Sequence, residues 1–239
     1  MTENRPDTML AVEDLTFSYG AVRVLNEVSL SVPRGRITCV MGRNGVGKTT
    51  LMKNVMGLLN AESGKVFLEG RDVTSLSGYR RAREGIALVP QGRQIFPRLT
   101  VEENLRVGME ARAALRGKVP EFVYDMFPVL KEMIRRKGGD LSGGQQQQLA
   151  ISRALVGDPR VLLLDEPTEG IQPNIIQQIG HVLKDLATQS NMTIVLVEQY
   201  LDFVREFGDK FYLMNRGRVV AGGTTKELTD ELVSQHLSV

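Results

Sequence analysis

The chain has 239 residues, of which 42% are hydrophobic and 24% charged, the balance of an ordinary globular protein. A net charge of +2 with no long basic run argues neither for nor against a nucleic-acid partner. The single cysteine excludes an intramolecular disulfide, and no apolar run approaches the roughly 20 residues of a membrane-spanning helix.

Residues 1–8 are polar, with Glu3 and Asp7 and no apolar core, so a frayed terminus is expected and not a secretory signal. Residues 10–19 and 24–32 alternate apolar with polar positions around a Gly20-Ala21 turn, which predicts a pair of strands. After the Pro33-Arg34-Gly35 turn, Ile37–Met41 reads as a short buried strand, with Cys39 as one of its small hydrophobes. Residues 50–56 read as a helix that Gly57 stops. Between strand and helix lies Gly42-Arg43-Asn44-Gly45-Val46-Gly47-Lys48-Thr49, which fits G-x-x-x-x-G-K-[ST]. Glycines there let the backbone curl so that several amide N–H groups face one anion, and the helix N-terminus adds partial positive charge. Lys48 is then placed for the β- and γ-phosphates of a nucleotide, and the Thr49 hydroxyl for Mg²⁺. The flanking strand and helix disfavour a mere glycine-rich turn that happens to carry a lysine.

Residues 65–68 predict a strand, 69–72 a turn, 77–84 a short helix stopped by Gly85, and 86–90 a buried strand that ends at Gln91. The pattern then turns helical over about 92–157. Thr100 and Glu103 form a capping box for a helix running to about 115, and residues 121–130 read as more helix, bent or interrupted at Pro128. A glycine-rich loop at 138–144 precedes a helix over about 145–156. Val161–Asp165 is too short for a helix and ends in a carboxylate, as a central parallel strand would. A helix over 174–190, a buried strand Thr193–Val197, a helix over 199–207 and a hairpin of 211–215 with 218–221 follow. Thr224 and Glu227 form a second capping box, read as the start of a last helix over about 224–236. His181 and His236 read as ordinary helix-surface residues. This alternation predicts an α/β fold with a mainly parallel sheet covered on both faces and the helical block inserted as a subdomain.

Asp165-Glu166 carries the next chemical signal. In phosphate-loop enzymes an Asp at the end of such a strand helps to hold Mg²⁺, and a Glu beside it is placed to polarise the attacking water. Leu141-Ser142-Gly143-Gly144-Gln145, taken alone, is a helix start capped by Ser142. Together with the phosphate loop and Asp165-Glu166, it makes the chain closely resemble the ATP-binding cassette (ABC) ATPases over about residues 10–222.

The resemblance implies a single P-loop NTPase domain over 1–239, with a mainly parallel central sheet, an N-terminal antiparallel β-subdomain and an inserted helical subdomain. The nucleotide-binding core would be about 9–91 and 158–222, the helical subdomain about 92–157 and the C-terminal helix about 224–236. It implies ATP and Mg²⁺ as ligands. Tyr19 matches the aromatic on which adenine stacks, and Gly42, Arg43, Asn44, Gly45, Val46, Gly47, Lys48, Thr49 and Thr50 match the phosphate cradle. Gln91 joins Thr49 and Asp165 at Mg²⁺, and Glu166, Lys48 and Gln199 take the catalytic positions. Ser142, Gly143, Gly144 and Gln145 would close over ATP held by a second cassette, identical or related, packed head to tail. Two transmembrane permease subunits and, indirectly, a periplasmic solute-binding protein are the other implied partners, and nucleic acid is not one. The implied location is peripheral, at the cytoplasmic face of the cell membrane. Phe96, Pro97 and Leu99 either line the permease-docking surface or belong to the core.

Two positions depart from the family pattern. Most members have a histidine after the strand Thr193–Val197, where this chain reads Glu198-Gln199, and Gln199 cannot become a cation. Gln172 stands where an aspartate usually crosses the dimer interface. Hydrolysis is therefore expected to depend on Glu166, with a weaker γ-phosphate contact than usual. Val197-Glu198-Gln199 resembles the ATPases of branched-chain amino acid and amide importers. Within that group the wording around Gln91, Ser142, Glu166 and Gln199 is most similar to the urea importers. A lipid or lipopolysaccharide exporter ATPase is the alternative, disfavoured by the missing histidine. A soluble ABC protein acting on nucleic acid or ribosomes is disfavoured because the chain has no long coiled coil, second cassette or basic stripe. A module that binds ATP without hydrolysing it would need Glu166 to be disabled.

Overall fold

The computed structural model describes residues 7–110 and 117–237. The expectations for residues 1–6, and for a helix continuing over 111–115, lie outside the described residues, as does the side chain of His236. Strands β1 (Thr8–Tyr19) and β2 (Val22–Pro33) form a long antiparallel hairpin, with Leu10 opposite Val32 and Val12 opposite Leu30. Helix α1 (Lys48–Met56) follows β3 (Ile37–Met41), and β4 (Ser63–Leu68) lies on the other side of β1. The stretch 69–72, expected to be a turn throughout, is a turn only at Glu69-Gly70, whose φ values of 50° and 75° suit a tight hairpin. Arg71–Asp72 joins the ladder as β5, completing a four-stranded antiparallel sheet.

The second sheet adds β6 (Ile86–Val89), β7 (Val161–Asp165), β8 (Thr193–Val197), β9 (Lys210–Asn215) and β10 (Arg218–Thr224) to β3. Its order is β10-β9-β3-β8-β7-β6, parallel except for the edge strand β10. Every residue of β3, β7 and β8 is buried, because helices or the first sheet cover both faces. Successive residues of a strand point to opposite faces, so Val161 and Leu163 pack toward α1 and the first sheet while Leu162 and Leu164 enter a separate core. That second core joins α6 (Gly143–Leu155), α7 (Pro173–Gln189) and α8 (Leu201–Phe207) to the helical block.

In that block the Thr100–Glu103 capping box opens α3 (Val101–Met109) as expected. Pro128 interrupts the next helix, giving α4 (Phe122–Met126) and α5 (Pro128–Glu132) with Phe127 buried at the break. The expected helix over about 224–236 is corrected. The Thr224–Glu227 capping box exists but opens only a 3-10 turn, Thr225–Glu227. Leu228 is then buried with a non-helical backbone, and α9 (Asp230–Leu237) starts afresh.

Arg81 on α2 (Gly78–Arg83) fixes the end of the helix that carries the phosphate loop. Its buried guanidinium donates to the carbonyls of Asn54 (2.8 Å) and Val55 (2.8 Å) at the end of α1, and to those of Thr74 (2.7 Å) and Leu76 (3.0 Å). An apolar replacement fills the volume but leaves buried carbonyls without donors. Arg81→Met is expected to cost about 3 kcal/mol, a fall of about 6–12 °C in Tm, read by thermal unfolding.

Candidate functional site

The C-terminal edge of the parallel sheet gathers the site. Strands β3, β8, β7 and β6 lie side by side in that order, so the segments leaving them are neighbours: the phosphate loop, Glu198-Gln199, Asp165-Glu166 and Gln91. Open parallel sheets bind ligands at this edge.

Gly47 has φ 108°, a conformation that L side chains rarely adopt, and it is the residue from which α1 starts. A Cβ there would stand 2.9 Å from the Val24 carbonyl oxygen and from the Leu25 side chain, so β2 also demands glycine. At Gly42 the demand is close approach, since a Cβ would meet the Met214 carbonyl oxygen at 2.5 Å. Lys48 is only 4% exposed and folds back across the loop, donating to the carbonyls of Gly42 (2.8 Å) and Arg43 (3.0 Å).

Glu166 is the hub. Its φ of 50° turns the chain sharply after β7, and its N–H donates to the Val197 carbonyl at 3.0 Å. Its Oε1 accepts from Gln199 Nε2 at 2.7 Å and lies 3.5 Å from Lys48 Nζ, while Oε2 accepts from Gln91 Nε2 at 3.0 Å. Gln199 also donates to Asn44 Oδ1 at 2.7 Å, which ties the loop to β8. Gln91 also donates to Glu169 Oε2 at 3.1 Å, so two carboxylates share one amide.

Asp165 is buried, and that burial raises its carboxyl above the usual range, opposed by a hydrogen bond from Thr49 and by the charge of Lys48. Its Oδ1 is buried without a partner. An acceptor left open beside a threonine hydroxyl and the phosphate loop fits Mg²⁺, which binds through one or two carboxylates plus substrate phosphates. No cluster of three or more His, Cys, Asp or Glu suited to a metal occurs among the described residues.

Ser142 and Gln145 form a reciprocal cap at the start of α6, Ser142 N to Gln145 Oε1 at 2.9 Å and Gln145 N to Ser142 Oγ at 3.4 Å. Gly143 abuts the Arg93 guanidinium and Gly144 abuts Ile175. These four residues thus engage their own helix and the segments around Arg93 and Ile175. Tyr19 is 49% exposed at the end of β1, with its ring edge-to-face on Phe17. Phe96 and Pro97 are exposed, while Leu99 is half-buried. His181 is exposed and stacks edge-on against Phe207.

Three contributors were not foreseen. Glu169 holds Gln91, and Arg93 joins Gln146 Oε1 (3.4 Å) to the Glu169 carbonyl (3.3 Å). Glu198 is a buried carboxylate against Thr168, Gln199 and Tyr200. The signal for Glu198 was available: a carboxylate closing an otherwise apolar strand must be satisfied internally.

A strand, phosphate loop and helix facing an Asp-Glu pair two strands away define a nucleotide triphosphatase of the phosphate-loop class. The chain belongs to the ABC transporter family, whose sequence model matches residues 25–169, and it is one of that family's ATPases. The high-affinity branched-chain amino acid transport ATP-binding protein BraG of Pseudomonas aeruginosa is 40% identical over 217 residues, 90% of this chain and 93% of its own. The probable branched-chain amino acid transport ATP-binding protein LivF of Archaeoglobus fulgidus is 38% identical, covering 93% of this chain and 94% of its own. The lipopolysaccharide export ATP-binding protein LptB of Haemophilus influenzae is 32% identical, covering 95% and 96%. Among solved structures, an ABC transporter cassette in its ADP conformation superposes with a TM-score of 0.81 at 30% identity, covering 95% of this chain and 97% of that one. A dimeric bacterial cassette gives 0.82 at 25% identity, covering 91% and 99%.

Proposed function

We propose that the chain is the ATP-hydrolysing subunit of an importer in the branched-chain amino acid and amide group, with urea as its solute. One observation carries the catalytic reading: Glu166 is held between Lys48, Gln91 and Gln199 at the edge of the sheet where the phosphate loop opens. In this reading the N–H groups of the loop from Gly42 to Thr50, with Lys48, hold the β- and γ-phosphates, and Tyr19 offers its ring to adenine. Glu166 takes a proton from the attacking water. Gln199 steadies that carboxylate and meets the γ-phosphate as a neutral donor, the weaker contact expected without a histidine. Thr49, Asp165 and Gln91 would hold Mg²⁺, which when bound neutralises charge on the phosphate oxygens. Ser142, Gly143, Gly144 and Gln145 present the N-terminus of α6 to the γ-phosphate of a second cassette, identical or related, packed head to tail. The dimeric form of a solved cassette supports the pairing of two cassettes.

The chain acts as one domain, with its core at about 9–91 and 158–222 and the helical block of about 92–157 meeting the two permeases, where Phe96 and Pro97 are exposed. No described helix is long and apolar enough to cross a membrane. The family resemblance implies a peripheral place at the cytoplasmic face, coupled through the permeases to a periplasmic binding protein and to no nucleic acid.

Two of the relatives above are named for branched-chain amino acids. The narrower choice of urea rests on the wording of residues 91–97, 141–148, 166–173 and 197–203. The complex in vesicles, offered urea-loaded or leucine-loaded binding protein, is expected to raise ATP turnover with urea alone. A response to leucine alone would move the solute to an amino acid and leave the ATPase reading intact.

A further inference from the structure

We infer that Glu198 is a positioning residue for hydrolysis, whose buried carboxylate locks the Gln199 backbone and the Thr168 turn together so that Gln199 and Glu166 meet. This rests on the reading of Glu166 as the base. Glu198 is 2% exposed and accepts four hydrogen bonds. Its Oε1 takes the Thr168 hydroxyl (2.7 Å) and N–H (3.2 Å), and its Oε2 takes the N–H groups of Gln199 (3.0 Å) and Tyr200 (3.3 Å). One side of this clamp leads to Gln199, whose amide reaches Glu166 at 2.7 Å. The other leads to the turn just after Glu166, which continues into Glu169 and its bond to Gln91.

The helix expected from residue 199 starts at Leu201, and the N–H groups of Gln199 and Tyr200 just before it are held by Glu198. The four donors together demand a group that accepts on both oxygens. A glutamine offers one oxygen and an NH₂, so at least one donor would face another donor and the turn would shift.

The test is steady-state MgATP hydrolysis by the full-length chain, comparing Glu198→Gln, Gln199→Ala and the double variant. Glu198→Gln is expected to lower kcat about tenfold, the effect of about one hydrogen bond lost from the transition state, with KM for MgATP unchanged. In the Gln199→Ala background the same change is expected to cost less than about threefold, because one of the two groups it aligns is gone. Thr168→Val removes one of the four bonds and is expected to act in the same direction by a smaller factor. It carries the same cycle if Glu198→Gln does not fold. Unchanged kcat, or an equal loss with and without Gln199, would overturn the inference. Near-normal turnover of Glu166→Gln would instead overturn the reading beneath it, whatever Glu198 shows.

Discussion

Glu166→Gln is expected to lower ATP turnover by about 100- to 1,000-fold while MgATP still binds. The isosteric change removes the proton acceptor and also reverses part of the local polarity. Gln199 and Lys48 donate toward Oε1 and Gln91 toward Oε2, so the carboxylate faces donors on both sides. An amide NH₂ would turn one of these contacts into a donor facing a donor. In the proposed reading nucleotide affinity is set by the phosphate loop, which Glu166 meets only through Lys48 and Gln199, so loss of turnover without loss of binding is the signature. Phosphate release and titration with a fluorescent nucleotide measure the two separately. Near-normal turnover would sink the assignment of Glu166 as the base.

The phosphate loop was legible because its demands are local. Glycines, a lysine and a threonine at fixed spacing sit between a buried strand and a helix start. Asp165-Glu166 was legible for the same reason, as the end of a run too short and too apolar for anything but a central strand. The contacts between these pieces had no such signal. Gln91 meets Glu166 and Glu169 across separations of 75 and 78 residues, and Gln199 meets Asn44 across 155. Those meetings follow from the strand order β3-β8-β7-β6, which no local periodicity encodes.

Where element boundaries moved, tertiary contacts lie at the shift. Gln199 and Tyr200, just before α8, give their N–H groups to Glu198. At the C-terminus, burial of Leu228 takes the chain out of helix after one turn. Arg205 then bonds both the Leu228 carbonyl (3.1 Å) and Asp230 (2.6 Å) where α9 restarts. Tyr19 shows the converse. Only the family resemblance marked its ring as one that stacks on adenine, and the ring is exposed at the strand end.

Lys48→Ala is expected to weaken MgATP binding by about 10- to 100-fold, the loss of a charge-assisted hydrogen bond worth about 1.5–3 kcal/mol. Lys48 is buried, and its ammonium spans from the Gly42 and Arg43 carbonyls toward Glu166. In the wild-type chain the cation is thus already desolvated and aimed, so little further ordering opposes its contact with phosphate. Alanine removes it and leaves Glu166 with amide donors but no neighbouring lysine, beside a site that must accept more negative charge. The added negative charge puts the penalty toward the upper end of that range, and it should grow with phosphate charge. ADP affinity is expected to fall by a smaller factor than ATP affinity in parallel titrations. Arginine should not restore binding, because a planar guanidinium cannot take the position of a compact ammonium between two carbonyls of a tight loop. Equal losses for ATP and ADP would place Lys48 on the β-phosphate alone and leave the γ-phosphate to Gln199 and the second cassette.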